Sequence, residues 1–211
     1  MKIFHKLIIA CDGESASGKS TAAKLISKKY HLLLINSGLL YRFGSKLIIR
    51  YKPKNIVSFL NKRFKKISYK TIVKQNLHSE KISNHVALLA KNKKVREIIT
   101  KFQKKIIKNN KKICVEGRDI ASKILVKKLK YDLAFYFKCN LNTASYRRWI
   151  DIKKKVPLKE VKRSLNKRTL MDKKRKNSPL IKVNDAILIR TDKLSKKQVV
   201  SKMSKHIERL N

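Results

Sequence analysis

Five short apolar runs, at residues 7–11, 31–35, 112–115, 131–138 and 186–190, carry Ile, Leu, Val and aromatic side chains without the strict alternation of a half-solvated strand. A strand that is apolar throughout is buried on both faces. Between these runs the period becomes helical: over 20–30, Ala22, Leu25 and Ile26 share one face, and Val95, Ile98, Phe102 and Ile106 do so in a later segment. Strands alternating with helices predict an α/β fold whose five-stranded parallel sheet is covered on both sides, with ligands at the carboxyl ends of the strands.

Two segments break this rhythm. Residues 43–80 contain Pro53 and a basic stretch at 61–66 but no sustained period, and are read as a small inserted acceptor-binding subdomain. Residues 151–178, dense in Lys and Arg and bounded by Pro157 and Pro179, are read as a helical lid. The core of a single domain is then 1–42, 81–150 and 179–211. Within the lid, Leu158, Val161, Leu165, Arg168, Asp172 and Arg175 fall on one stripe at spacings of three and four. Such a helix would pack at its Leu158 end and present two guanidiniums flanking one carboxylate at the other. Guanidinium forks fit phosphate oxygens, and Asp172 can space the two arginines and accept a hydrogen bond. The plainer alternative is a solvated Arg–Asp pair.

Charge changes the picture less than its size suggests. Lys plus Arg number 56 against 13 Asp plus Glu, a formal net of +43, which favours anionic partners in general. The cations are mostly Lys and run the whole length, so a composition-wide bias outweighs a dedicated nucleic-acid surface, and neither a nucleic acid nor a membrane partner is expected. Cys11, Cys114 and Cys139 lack any metal-ligand or disulfide spacing and read as small buried hydrophobes in a reducing compartment. The apolar stretch at 7–10 is interrupted by Asp12, too short for a signal peptide or membrane span, so a cytoplasmic location is expected; a monomer is expected as well.

The strongest chemical signal follows the first run: Gly13-Glu14-Ser15-Ala16-Ser17-Gly18-Lys19-Ser20, then Thr21 and a helical pattern. This GxxxxGK[ST] phosphate loop, in its strand-to-helix context, predicts a P-loop NTPase three-layer fold that binds ATP through residues 13–21. Its glycines allow consecutive N–H groups to converge on phosphate oxygens at a helix N-terminus. Lys19 can bridge the β- and γ-phosphates, and the Ser20 hydroxyl is placed to ligate Mg²⁺.

The phosphate loop speaks for the donor; other segments must supply the acceptor. Asn36-Ser37-Gly38-Leu39-Leu40-Tyr41-Arg42 follows the second run and Glu116-Gly117-Arg118-Asp119 the third. With Val95-Arg96-Glu97 and the Arg168…Asp172…Arg175 spacing before Ser178-Pro179-Leu180, they are similar in identity and order to the bacterial cytidylate kinase family. The resemblance implies transfer of the γ-phosphate of ATP to CMP or dCMP. It matches Arg42, Arg118, Arg168 and Arg175 to phosphate-holding positions, with Lys19, Arg118, Arg168 and Arg175 catalytic. It matches Ser37 to the lining of the acceptor site, Arg96 and Asp119 to cytosine readers and Asp172 to a sugar contact. Arg147 and Arg148 match lid arginines that could reach the transferring phosphoryl group.

The chain departs from the family in several places. Ala87 replaces a base-reading serine, which implies discrimination relaxed by about 1–3 kcal/mol. Asn36 stands for an Asp, Glu14 for a proline, and Arg190 for an Asp before Thr191. Three rival readings remain open. A pyrimidine kinase accepting both UMP and CMP shares every motif; a basic nucleic-acid-binding P-loop protein would explain the charge; a GTP-driven switch lacks its Asn-Lys-x-Asp sequence here.

Overall fold

The computed structural model describes residues 3–126 and 129–210. The chain falls into two compact units, Met1–Ile35 with Lys111–Asn211, and Asn36–Asn110.

The first unit carries the sheet. Strands β1 (Leu7–Gly13), β2 (Leu33–Asn36), β3 (Lys112–Glu116), β4 (Leu133–Lys138) and β5 (Ile187–Arg190) lie in the order β2-β3-β1-β4-β5. The pairs β1–β3, β1–β4 and β4–β5 are parallel, with Cys11 level with Glu116 and Gly13 level with Phe137. Every residue of β1 is buried, which is why its sequence shows no alternation. The loop after β1 is thereby flanked by those after β3 and β4, the place where α/β sheets bind ligands.

Helices α1 (Lys19–Lys29) and α9 (Lys196–Ile207) cover one face, with Ala22, Ala23, Ile26, Val199, Met203 and Ile207 packed on Leu7, Ile9, Phe135 and Phe137. Leu25, predicted on the inner face of α1, is 36% exposed; Ala22, Ala23 and Ile26 define that face. Helices α7 (Leu141–Asp151) and α8 (Leu158–Lys174) pack through Ala144, Val161, Leu165 and Trp149. The expected stripe of α8 therefore exists but begins a turn later, because Leu158 is 38% exposed. Cys11, Cys114 and Cys139 are free and buried, as expected of small hydrophobes.

The second unit is helical: α2 (Ser37–Tyr51), α3 (Ile56–Lys66), α4 (Tyr69–Val73), α5 (Glu80–Leu89) and α6 (Lys93–Lys108). The stretch without an evident period is thus largely helix. In α3 the apolar residues Leu60 and Phe64 are one turn apart and buried, but lysines and arginines crowd the same eleven residues and mask the pattern. Side chains of Asn36, Asn55, Ser68, Ser79 and Asn92 accept the N–H three residues on, which fixes where these helices start. In α6 the fully buried line is Val95, Ile99, Gln103 and Ile107, one residue round from the predicted one, with Ile98 and Phe102 at its edge. Among the described residues no helix is long and apolar enough to cross a membrane.

Candidate active site

The phosphate loop is shaped by backbone geometry. A Cβ on Gly13 would lie 2.4 Å from Phe137 O and 2.7 Å from Phe137 Cβ, so only glycine lets β1 run this close to β4. Ala16 and Gly18 hold left-handed conformations, φ 56° and 80°. Glu14 N donates to Phe137 O (3.1 Å), Ser17 Oγ to Glu14 O (2.9 Å) and Thr191 Oγ1 to Ser17 O (3.0 Å). Gly18 precedes α1 and brings no capping side chain, so the first N–H groups of the helix stay available for phosphate oxygens.

Behind the loop lies a residue to which sequence reasoning gave no role. Lys19 Nζ and Ser20 Oγ both donate to Glu116 Oε2, at 2.8 and 2.6 Å. Lys19 and Glu116 are 5% and 2% exposed. Burial pushes the Glu116 carboxyl up, but the charge of Lys19 and the hydrogen bonds from Lys19 and Ser20 outweigh it and hold the pKa below the ordinary value. Glu116 Oε1 is buried and has no hydrogen-bond partner. A carboxylate ending an apolar strand was the available signal, and β3 sets it level with Cys11, two residues before the phosphate loop.

Asp12 is a second unassigned carboxylate, 3% exposed. Its two oxygens accept the N–H groups of Ile120 (2.9 Å) and Ala121 (2.8 Å), fastening the wide helical turn Ile120–Ile124 to the end of β1. Burial raises its pKa to about 6, against those two hydrogen bonds. Arg118 and Asp119 immediately precede this turn, so Asp12 fixes where they emerge.

The end of α8 meets them. Arg118 Nε donates to Asp172 Oδ2 at 2.9 Å. Arg175 NH1 lies 3.4 Å from Asp172 Oδ1, and its NH2 3.7 Å from Asp119 Oδ1. Arg175 Nε also donates to Ser178 O. The structure thus joins Arg118, Asp119, Asp172 and Arg175 in one network of alternating charge. Arg168, one turn earlier on α8, is exposed. Lys173 Nζ pairs with Glu14 Oε1 at 2.7 Å, so the glutamate in place of a proline ties the phosphate loop to α8. Arg147, matched to a lid arginine, instead donates to the carbonyls of Thr191 (2.9 Å) and Asp192 (3.2 Å) and so braces the loop whose Thr191 hydroxyl holds Ser17.

In the second unit, Ser37 Oγ accepts from Gln103 Nε2 at 2.5 Å. Arg42 NH1 donates to Leu77 O (3.0 Å) and Ser83 Oγ (2.9 Å). Arg96, 6% exposed, donates to Ala90 O (3.3 Å) and stands 5.6 Å from the Tyr41 ring centroid. Asn36 Oδ1 accepts Leu39 N (3.2 Å), so the amide caps α2 as the family's carboxylate could.

A parallel sheet whose first strand enters a glycine-bounded phosphate loop, with Lys and Ser of the following helix converging on a carboxylate from the adjacent strand, defines the P-loop kinase fold. In agreement, the structure is similar to shikimate kinase from Bacteroides thetaiotaomicron, with TM-score 0.51 at 10% identity over 96% of this chain and 98% of that one. The family profile described as cytidylate kinase matches residues 9–209, and the chain belongs to the cytidylate kinase family. It is 31% identical to the cytidylate kinase of Fusobacterium nucleatum over 220 residues, covering 97% of this chain and 98% of the relative. It is 35% identical over 216 residues to the bifunctional pantoate ligase/cytidylate kinase of Prochlorococcus marinus strain AS9601, covering 93% of this chain. The chain spans 42% of that longer relative.

Proposed function

We propose that this protein transfers the γ-phosphate of ATP to CMP or dCMP, giving ADP and CDP or dCDP, as a cytoplasmic, monomeric enzyme of pyrimidine nucleotide metabolism. The observation that carries the reading is the convergence of Lys19 and Ser20 on Glu116 beneath a phosphate loop, beside the network of Arg118, Asp119, Asp172 and Arg175.

Residues 13–21 bind the donor triphosphate through loop and helix N–H groups. Lys19 exchanges its hydrogen bond to Glu116 for the β- and γ-phosphates and stays with the charge as it moves. Ser20 and Glu116, one hydroxyl and one carboxylate with a free oxygen, are the residues that would hold Mg²⁺, which suits an ion that takes few protein ligands and completes its shell with water and phosphate. When bound, Mg²⁺ would supply charge neutralisation between the phosphates.

The acceptor phosphate is already anionic, so no general base is needed and the protein's task is positioning and charge neutralisation. Arg118, Arg168 and Arg175 serve the phosphates. Asp172 spaces the guanidiniums and accepts from the sugar, and Asp119 accepts from the cytosine amino group. The roles of Ser37 and Arg42 at the acceptor and Arg96 at the base rest on the similarity of their motifs. Residues 43–80 are assigned to acceptor binding and 151–178 to a lid that excludes water during transfer.

A coupled ATP-consumption assay with CMP, dCMP, UMP, AMP and GMP tests the proposal. CMP and dCMP should give the highest kcat/KM. A purine monophosphate as best acceptor, or ATP consumption indifferent to any of the five, would overturn it.

A further inference from the structure

Although cations run along the whole chain, residues 50–66 hold seven Lys and Arg, and the longer stretch 36–79 around them contains not one Asp or Glu. Within this stretch the end of α2 and the body of α3 form an aromatic and guanidinium cluster. Arg50 and Arg63 lie over the Tyr51 ring, 5.3 and 5.1 Å from its centroid, and Arg63 is also 5.2 Å from the Phe59 centroid. The Tyr51 and Phe59 rings are 5.7 Å apart. Arg50, Tyr51 and Arg63 are exposed, as are Lys52, Lys54, Lys62, Lys65 and Lys66 around them.

Three physical points separate this cluster from a merely solvated face. Two like charges gathered on one ring repel each other, and the absence of acid in this stretch leaves that repulsion for an outside anion to relieve. Contact with the aromatic rings restricts the guanidiniums, so less rotamer entropy is lost when their forks meet phosphate. The apolar side of α3, Leu60 and Phe64, is buried within the unit. The helix therefore has no free apolar stripe to sink into a bilayer, as an amphipathic membrane anchor requires.

We propose that the α2–α3 surface centred on Arg50, Tyr51 and Arg63 binds single-stranded RNA through its phosphodiester backbone. Spaced phosphates satisfy both guanidinium forks and the surrounding lysines at once, and the exposed Tyr51 side chain favours a strand with unpaired bases over a duplex. Arg50, Tyr51 and Arg63 lie within 43–80, the stretch assigned to acceptor binding, but none of them is given a contact with the transferred phosphate, and RNA binding is read without nucleotide and apart from kinase activity.

Fluorescence anisotropy of a labelled oligouridylate with the full chain tests this, read between about 50 and 200 mM salt. The expected result is steeply salt-dependent binding that weakens about tenfold or more in Arg50→Gln/Arg63→Gln. Arg63→Lys, which keeps the charge and loses the fork, should weaken it about threefold or more. A control pair of the same charge change on α8, Lys159→Gln/Lys162→Gln, should matter much less, and circular dichroism of every variant should match the parent. Equal losses from both pairs, or an Arg63→Lys variant that binds as the parent does, would mean diffuse charge and overturn the proposal. So would preference for duplex RNA, or binding to phosphatidylserine vesicles in place of the oligonucleotide.

Discussion

The phosphate loop and the carboxyl end of α8 both handle charge in the first unit, but they are held in opposite ways. Around the loop, position comes from backbone: a glycine pressed on Phe137, left-handed Ala16 and Gly18, and hydrogen bonds to main-chain carbonyls. Its ion pair, Lys19–Glu116, is almost wholly buried. At the end of α8, position comes from side chains. Arg118 and Asp172 are 21% and 23% exposed, and Lys173 is 43% exposed. A buried pair is costly to break, because one charge is left without solvent or partner, whereas a pair open to solvent on one side, such as Lys173–Glu14, exchanges partners at little cost. The donor loop therefore takes its shape from its backbone, and Lys19 can leave Glu116 only for another anion, whereas the network at α8 depends on its side chains alone.

The largest effect should come from separating the buried pair. Lys19→Met is expected to reduce kcat at least a thousandfold and to destabilise the fold by about 3–5 kcal/mol, because Glu116 loses its counter-charge. Adding Glu116→Gln should recover much of the stability in denaturant melts but none of the activity. Recovery of both would show that Lys19 acts only as a structural partner.

Gly13→Ala should be nearly as damaging. Its Cβ would meet main-chain and Cβ atoms of Phe137, which cannot turn aside, and a loss of about 3 kcal/mol or more is expected in thermal unfolding. An unchanged melting temperature would contradict the close β1–β4 approach.

Asp12 sharpens the comparison through pH. Its folded pKa of about 6 lies above the ordinary 3.8, so the folded state binds more protons than the unfolded one between those values. Its contribution to stability is full at pH below about 4, falls by up to about 1.4 kcal/mol per pH unit as pH rises, and is gone above about 6. Asp12→Asn should remove this slope from the difference in melting curves across that window. It should also lower the hydrogen-exchange protection of 120–124, since an amide has one acceptor oxygen for two N–H donors. Identical pH slopes in parent and variant would rule the assignment out.

Smaller effects are expected at α8. Asp172→Asn should raise the KM for CMP about tenfold with little change in stability, because Arg118 keeps access to water and Arg175 keeps Ser178 O and Asp119 as partners. Lys173→Gln should cost at most about 1 kcal/mol and vanish into the parent's behaviour at high salt. A Lys173→Gln effect larger than that of Asp172→Asn would invert the order of the two ion pairs.

Much of this is legible in the amino-acid sequence. Buried parallel strands announce themselves as uninterrupted apolar runs, and a phosphate loop has a local code because its function lies in consecutive backbone groups. The α8 stripe is visible for the same local reason, helical spacing. What escapes is either masked or nonlocal. Lysines hide the apolar line of α3, and rotation by one residue displaces the buried line of α6. Glu116 and Asp12 lack any motif of their own, and their partners, Lys19, Ser20 and the 120–121 amides, stand about a hundred residues away.

The sequence alone determined the kind of elements, the donor loop and the family's ordered motifs, since each depends on residues a few positions apart. Only the tertiary structure decided that Glu116 receives Lys19 and Ser20, that Asp12 fastens the turn after Asp119, and that Arg147 braces a loop. Those outcomes depend on which strands lie side by side, and strand order is set by packing over the whole sheet, which no local spacing encodes.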